Sequence, residues 1–372
     1  MGRDTVREQA ATPLSATIGR MVDVLVPQVR ALSPKAVEFV VGTQINAAPH
    51  LGTHLAQTCA FLLAEQARAV FGLPTEVRFH LLDNAVHESL RDDLSGSAYQ
   101  RSCFHALGPA GVAARFDSYY RPLFDVLADK TGVGYAVDTY SELQAHRDFR
   151  CQFLHTLARI RDLAWWLAPS TGVAPVRVPC PACGWAQTDH GDVRLVDRAD
   201  DFALFRGACH AHGPFDARVE AGAGPYIGLD NLHRNLVKER VLAHERGMLR
   251  VMVKGSDWAT ACPLLDRAHA VLATAPIRMP TRIFTPLALF DTGAQFSKSL
   301  IREAGGTDRF PGIAPWMLSV EHWHGTREEH ALVLHDLALA LLADVDRFDR
   351  AYTATELARL IGSMPTSHTG AW

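Results

Sequence analysis

Two short segments of this chain carry residue types that can act on a phosphate anhydride. In the first, Pro49-His50-Leu51-Gly52-Thr53, a histidine and a glycine stand just ahead of a helical pattern. Free backbone amides at a helix N-terminus favour phosphate. Gly52 lets a nucleotide approach the main chain closely, and the His50 imidazole can hydrogen-bond a phosphate oxygen in a transition state. In the second, Ser297-Lys298-Ser299, an ammonium between two hydroxyls follows an apolar run. It can neutralise the charge building on a departing pyrophosphate. A third element is Gly255-Ser256-Asp257 at the end of another apolar run; a carboxylate just past a strand's C-terminal end suits ribose hydroxyls. Plainer roles stay open for each: Thr53 and Asp257 as helix N-caps, His50 as a loop histidine, Lys298 as a solvated lysine.

A separate constellation reads as metal-binding. Cys180-Pro-Ala-Cys183 is followed, after 25 residues, by Cys209-His-Ala-His212, with Gly184 and Gly213 beside the two knuckles. Two pairs of soft or borderline donors suit a closed tetrahedral structural Zn²⁺ with no position left for catalysis. The spacing prefers His212 as fourth ligand, with His210 as the alternative. Cys59, Cys103, Cys151 and Cys262 sit in apolar settings and read as core.

The elements that must position these groups follow from hydrophobic periodicity. Residues 14–32 repeat apolar side chains at helical intervals. The run 37–41 reads as a buried strand ending at Gly42, followed by a loop and a helix with Leu55, Cys59 and Leu62 on one face. A second strand over 76–82 ends at Asp83-Asn84, so 37–82 forms one strand–helix–strand unit of a parallel sheet. Beyond it, 140–167 reads as strongly helical, 231–246 as a helix, 249–253 as a strand, 281–290 as strand-like and 328–348 as an amphipathic helix. All three nucleotide-handling elements thus fall at C-terminal strand ends, where open α/β sheets bind ligands.

Composition bounds the possibilities. At 372 residues the chain can bury a large core. With 48% hydrophobic and 21% charged residues it has the make-up of an ordinary globular protein. A formal charge of −3 provides no global basic field, so DNA is not an expected partner and any tRNA contact needs a local basic face. No apolar run reaches 18 residues, and the polar N-terminus is not a secretory signal, so no membrane partner is expected. The sparse cysteines suit a reducing cytoplasm.

With these residues in hand, the chain resembles the class I aminoacyl-tRNA synthetases, and among them the class I lysyl-tRNA synthetases. His50-Leu51-Gly52-Thr53 resembles their HIGH motif and Phe296-Ser297-Lys298-Ser299 their KMSKS motif. Asp138-Thr139-Tyr140-Ser141-Glu142-Leu143 and Val253-Lys254-Gly255-Ser256-Asp257 resemble further family segments, and a zinc ribbon is also a family feature. The resemblance spans about Val37 to Ser299. It implies an α/β, Rossmann-like parallel sheet split by a helical and zinc-ribbon insert, with a short helical C-terminus that omits most of the anticodon-binding region. The units would be 1–85 (N-terminal helix and first half of the nucleotide-binding domain), 86–246 (insert, with the ribbon at about 176–216), 247–300 (second half) and 301–372 (C-terminal region).

The implied activity is an AMP-forming ligase: with ATP and Mg²⁺ it makes an aminoacyl-adenylate and passes the aminoacyl group to an acceptor. Pro49, His50, Gly52, Thr53, Gly255, Asp257, Ser297, Lys298 and Ser299 would bind ATP, with His50, Thr53 and Lys298 acting in catalysis. Gly42, Gln44 and Asp83 would hold the amino acid. The chain departs from the family at Gln295-Phe296 (a lysine and a methionine there), at Trp258 (a histidine) and at Asp230-Asn231-Leu232-His233, where a tryptophan-rich run forms the amino-acid pocket. These departures favour a non-standard acceptor (a small molecule, a carrier protein or a tRNA used as donor) in specialised metabolism. Acceptor-stem-only charging of tRNA, and an inactive synthetase-like binding protein, are the two alternatives.

Overall fold

The computed structural model describes residues 18–93, 95–188, 194–244, 247–273, 279–310 and 312–364, although the side chains of 18–20, 298, 299 and 345 are outside that description. Helix α1 (Ile18–Leu32) leads into strand β1 (Ala36–Gln44), helix α2 (Leu51–Phe71) and strand β2 (Thr75–Leu82). Residues 14–17 of the expected N-terminal helix lie outside the described residues. A hairpin follows, β3 (Val86–Arg91) and β4 (Ala98–Ser102), then α3 (Cys103–Tyr119), α4 (Arg121–Thr131) and β5 (Gly134–Thr139).

The stretch expected as one helix over 140–167 is three: α5 (Tyr140–Ala145), α6 (Arg147–Ala158) and α7 (Ile160–Leu167). A capping box between Thr139 and Glu142 starts the first. His146 then takes an extended backbone and Arg159 leaves helical geometry, which breaks the run twice. Periodicity alone does not register such breaks, because the apolar spacing continues across them.

Small antiparallel pieces come next: β6 (Val176–Arg177), β7 (Trp185–Gln187), β8 (Arg194–Arg198), β9 (Phe202–Cys209), β10 (Gly213–Glu220) and β11 (Gly228–Leu229). Helix α8 (Asn231–His244) returns the chain to the central sheet as β12 (Met248–Gly255), α9 (Cys262–Leu272), β13 (Thr281–Thr285) and β14 (Leu287–Leu289). The C-terminal part comprises α10 (Lys298–Glu303), α11 (Pro315–Leu318), α12 (Arg327–Leu342), α13 (Val345–Phe348), β15 (Ala351–Thr353) and α14 (Ala354–Gly362).

The central sheet is parallel, in the order β13-β12-β1-β2-β5. Its fifth strand, β5, comes from inside the stretch expected to be inserted. Because β1 is buried on both faces, alternate residues meet different layers. Phe39 and Val41 face α2 and share its core with Leu55, Cys59 and Phe61, whereas Val40 packs with Met252 of β12 and Leu242 of α8. Thus α2 and α8 cover opposite faces of the sheet, and both reach its C-terminal edge. The main core also takes in α1, α11, α12 and α14, so the C-terminal helices are part of the central body. No helix among the described residues is long and apolar enough to cross a membrane.

Candidate functional site

A cleft of about 450 Å³ opens at the C-terminal edge of the sheet, between the N-terminus of α2, the ends of β1 and β12, the β14 turn and one face of α8. Gly42 and Gln44 line it from β1, His50, Gly52 and Thr53 from α2, Gly255 and Asp257 from the end of β12, and Ser297 from the segment after β14.

His50 is itself the N-cap of α2. Its Nδ1 accepts the Thr53 amide hydrogen bond at 3.3 Å and its Nε2 lies 3.3 Å from Thr53 Oγ1. Histidine is an uncommon cap, and here the capping holds the imidazole at the mouth of the helix, beside the remaining free amides. Gly52 sits at a close approach: a Cβ there would lie 3.1 Å from the Ala288 Cβ and 3.3 Å from the His50 ring, so a larger residue would push on both. The second histidine of the segment, His54, is buried, with Nε2 3.2 Å from the Tyr119 carbonyl oxygen, and belongs to the core.

The second signature arrives on a tight return of the chain after β14. Phe296 N–H donates to the Ala288 carbonyl oxygen at 3.0 Å, and Phe290 N–H to that of Ala294 at 2.7 Å. Phe296 is buried against Phe290 and meets the His50 ring edge-on at 5.8 Å between centroids. The two signatures, some 250 residues apart in sequence, are therefore in contact. Ser297 caps α10, accepting from the Leu300 amide at 3.4 Å. Lys298 and Ser299 open that helix, and their side chains fall outside the described residues.

Asp257 sits in a single 3₁₀ turn, Ser256–Ala259, and does not cap it. Its carboxylate folds back so that a Cβ on Gly255 would come within 2.5 Å of Oδ1. Burial pushes its pKa up while a hydrogen bond from Gln295 pulls the other way, tying the β14 turn to the end of β12. Among the expected residues whose side chains are described, two are not in the cleft lining. The Pro49 carbonyl accepts the Val320 amide at 3.0 Å. Asp83 is buried, accepts from the Ser141 amide and the Tyr226 hydroxyl at 3.2 Å each, and has its carboxyl pushed up to about 6 by burial.

What the sequence reading missed is the α8 wall. Asn231, Arg234, Asn235 and Lys238 recur at helical intervals and all line the cleft, joined by Lys254 from β12. Lys238 is only 5% exposed, and burial first, then Lys254 and Arg234, push its ammonium down to about 7. Lys254 Nζ donates to Asn235 Oδ1 at 2.8 Å and stands 4.4 Å from the centre of the Trp258 ring. A polar stripe of this kind ordinarily reads as the solvated face of an amphipathic helix.

Away from the cleft, Cys180, Cys183, Cys209 and His212 bring their donor atoms within 4.8 Å of one another. Individual separations are 3.4 Å between Cys183 and Cys209 Sγ, and 3.5 and 3.6 Å from His212 Nδ1 to Cys209 and Cys180 Sγ. Tetrahedral zinc with bonds of about 2.0–2.3 Å needs spacings of this size, so the residues fit the ion. His210 instead rests edge-on against Tyr99 and Trp185.

No family model and no curated sequence matches the chain. Among solved structures it is similar to the Mycobacterium tuberculosis methionyl-tRNA synthetase bound by methionyl-adenylate, at 12% identity over 90% of this chain and 69% of that one, with a TM-score of 0.42. It is also similar to the glutamate-tRNA synthetase of Elizabethkingia anophelis (11% identity, 90% of this chain, TM-score 0.35). A glutamate tRNA ligase of Elizabethkingia meningosepticum in complex with its amino acid is a third (11%, 86%, TM-score 0.35). The chain spans 66% and 65% of the length of those two.

Proposed function

We propose that the cleft binds ATP beside an amino acid and joins them as an aminoacyl-adenylate. The observation that carries this reading is the contact of the two signatures, His50 against Phe296 at the open edge of a parallel sheet. A carboxylate oxygen of the amino acid attacks the α-phosphorus. The bond to the bridging oxygen breaks, and pyrophosphate leaves with the electron pair, so no proton is needed. His50 and the α2 amides bind the phosphates as charge shifts towards the leaving group. The Thr53 amide holds the imidazole in place through Nδ1, leaving Nε2 to turn from the Thr53 hydroxyl to a phosphate oxygen, and Asp257 with Gly255 takes the nucleoside. Lys298 is assigned to the departing pyrophosphate on its place in the sequence. Magnesium bound with the ATP would supply further neutralisation of the phosphate charge.

In a second step an acceptor nucleophile attacks the carbonyl carbon and AMP departs. The altered Gln295-Phe296 turn supports an acceptor outside standard tRNA charging, a small molecule or carrier protein. The test is ATP–pyrophosphate exchange across a panel of amino acids, followed by label transfer to total tRNA and to small amines. Exchange with at least one amino acid is expected. Absence of exchange with every member, in folded zinc-loaded protein, overturns the proposal in favour of a binding role.

A further inference from the structure

The α8 wall holds more positive charge than the protein neutralises. Arg234 is 7% exposed, and its one side-chain hydrogen bond goes to Asn231 Oδ1 at 2.9 Å; Lys238 makes none among the described residues. The nearby carboxylates are committed elsewhere. Glu239 is held by Arg282 at 2.5 Å and His269 at 3.0 Å and Asp230 by Arg177, so that they act on Lys238 and Arg234 without a direct ion pair. Buried basic groups without a direct ion-pair partner are expensive to keep charged, and two of them one helical turn apart are suited to an anion, which would favour their charged forms.

That anion is not the one the α2 end serves. Arg234 and Lys238 lie on the helix covering the Val40 face of the sheet, whereas His50 and Thr53 belong to the layer over Phe39 and Val41. If the cleft makes an adenylate, as read above, the reacting α-carboxylate must point to the α2 side to meet the α-phosphorus. A negative group on the α8 side is then a second one on the same molecule. The cleft also has unused acceptors: Asn46 Oδ1 and Gln57 Oε1 are buried in its lining and have no partner among the described residues, which suits an ammonium. We propose that the substrate is a dicarboxylic α-amino acid, its side-chain carboxylate held by Arg234 and Lys238 and its α-ammonium by the amide oxygens of Asn46 and Gln57. Lysine, implied by the family resemblance, would bring a third cation to a wall that already has too many.

Calorimetric titration of the full chain with L-aspartate, L-glutamate, L-glutamine and L-lysine, beside a non-hydrolysable ATP analogue, tests this. One of the two acids should bind about 100-fold more tightly than the neutral amide or lysine. In the Arg234→Gln/Lys238→Met double variant, affinity for that acid should fall at least about tenfold while the ATP analogue stays within about threefold. Equal losses for acid and ATP analogue would assign the pair to phosphate and overturn the proposal, as would binding of lysine or glutamine at least as tight as either acid, or no binding of either acid. The selectivity of the unmodified chain decides the matter even if the double variant does not fold. Pyrophosphate exchange on the same panel keeps the two readings apart. Exchange driven by lysine sinks the dicarboxylate assignment and leaves adenylation standing; acid binding without exchange does the reverse.

Discussion

At the scale of single residues, His50 combines two tasks that substitution can separate. Its ring closes the first turn of α2 and also faces the cleft. Asparagine is a good N-cap with no imidazole, so His50→Asn should keep the melting temperature within a few degrees while lowering pyrophosphate exchange about 100-fold. An exchange rate near that of the unmodified protein would reduce His50 to a cap. Lys238 offers a second test, through pH. Unfolded, its amine titrates at its ordinary 10.5; folded, burial brings it to about 7. Between these values the unfolded chain holds the extra proton, so stability rises with pH across the window, and below about 7 this contribution is flat. His80 on β2, Lys254 on β12, and Arg234 and Glu239 on α8 act electrostatically with it and shift the absolute curve. The difference between the unmodified chain and Lys238→Met, followed by urea midpoints from pH 6.5 to pH 9.5, isolates its share and should narrow as pH rises.

At the scale of elements, α8 is pinned to the sheet by a buried network. Burial alone would raise the Glu239 carboxyl; His269, Lys254 and Arg282 together hold it far below the usual carboxylate range instead. Glu239→Gln removes the fully buried negative charge among these cations, leaving Arg282 only the exposed Asp266, and should cost about 3–5 kcal/mol of stability, read from urea denaturation; a cost under about 1 kcal/mol would mean water already screens the site. The same helix shows where sequence reading stops. The parallel sheet was legible because β1, β2 and β12 are short, largely apolar segments that end at turn residues, and the Cys/His cluster because Cys-x-x-Cys spacing is rare by chance. The contact of Phe296 with His50 was implied only through strand ends. The Asn231–Arg234–Asn235–Lys238 stripe was visible as a pattern, yet periodicity tells which residues share a face and not whether that face meets water. Only the sheet on one side of α8 and the zinc-ribbon layer on the other turn it inward. Asp83, which the family resemblance implied would hold the amino acid, accepts hydrogen bonds from the Ser141 amide and the Tyr226 hydroxyl, partners too distant in sequence to be foreseen.

At the scale of the whole molecule, the hydrophobic cores divide the two halves of the cleft. The α2 half rests on the main core, which extends from Met21 in α1 to Ile361 in α14. Helix α8 instead joins three smaller cores: Val237 packs with ribbon residues such as Phe205 and Val219, Leu236 with α7 and α9, and Leu242 with β1 and β12. A zinc ion bound by this cluster would hold the ends of β9 and β10 together through Cys209 and His212, and its removal would loosen the layer against which Val237 is packed. Structural zinc supplies much of the folding energy of so small a module. Purified protein should therefore contain about one zinc per chain, and stripping it should act through α8 on the amino-acid side of the cleft. Affinity for the amino acid should drop at least about tenfold, whereas affinity for a non-hydrolysable ATP analogue, held from α2 and the end of β12, should change less than about threefold. Calorimetric titrations before and after chelation measure both. Equal loss of the two ligands would mean that ribbon and central body unfold as one cooperative unit, and that α8 does not act as the separate link between them.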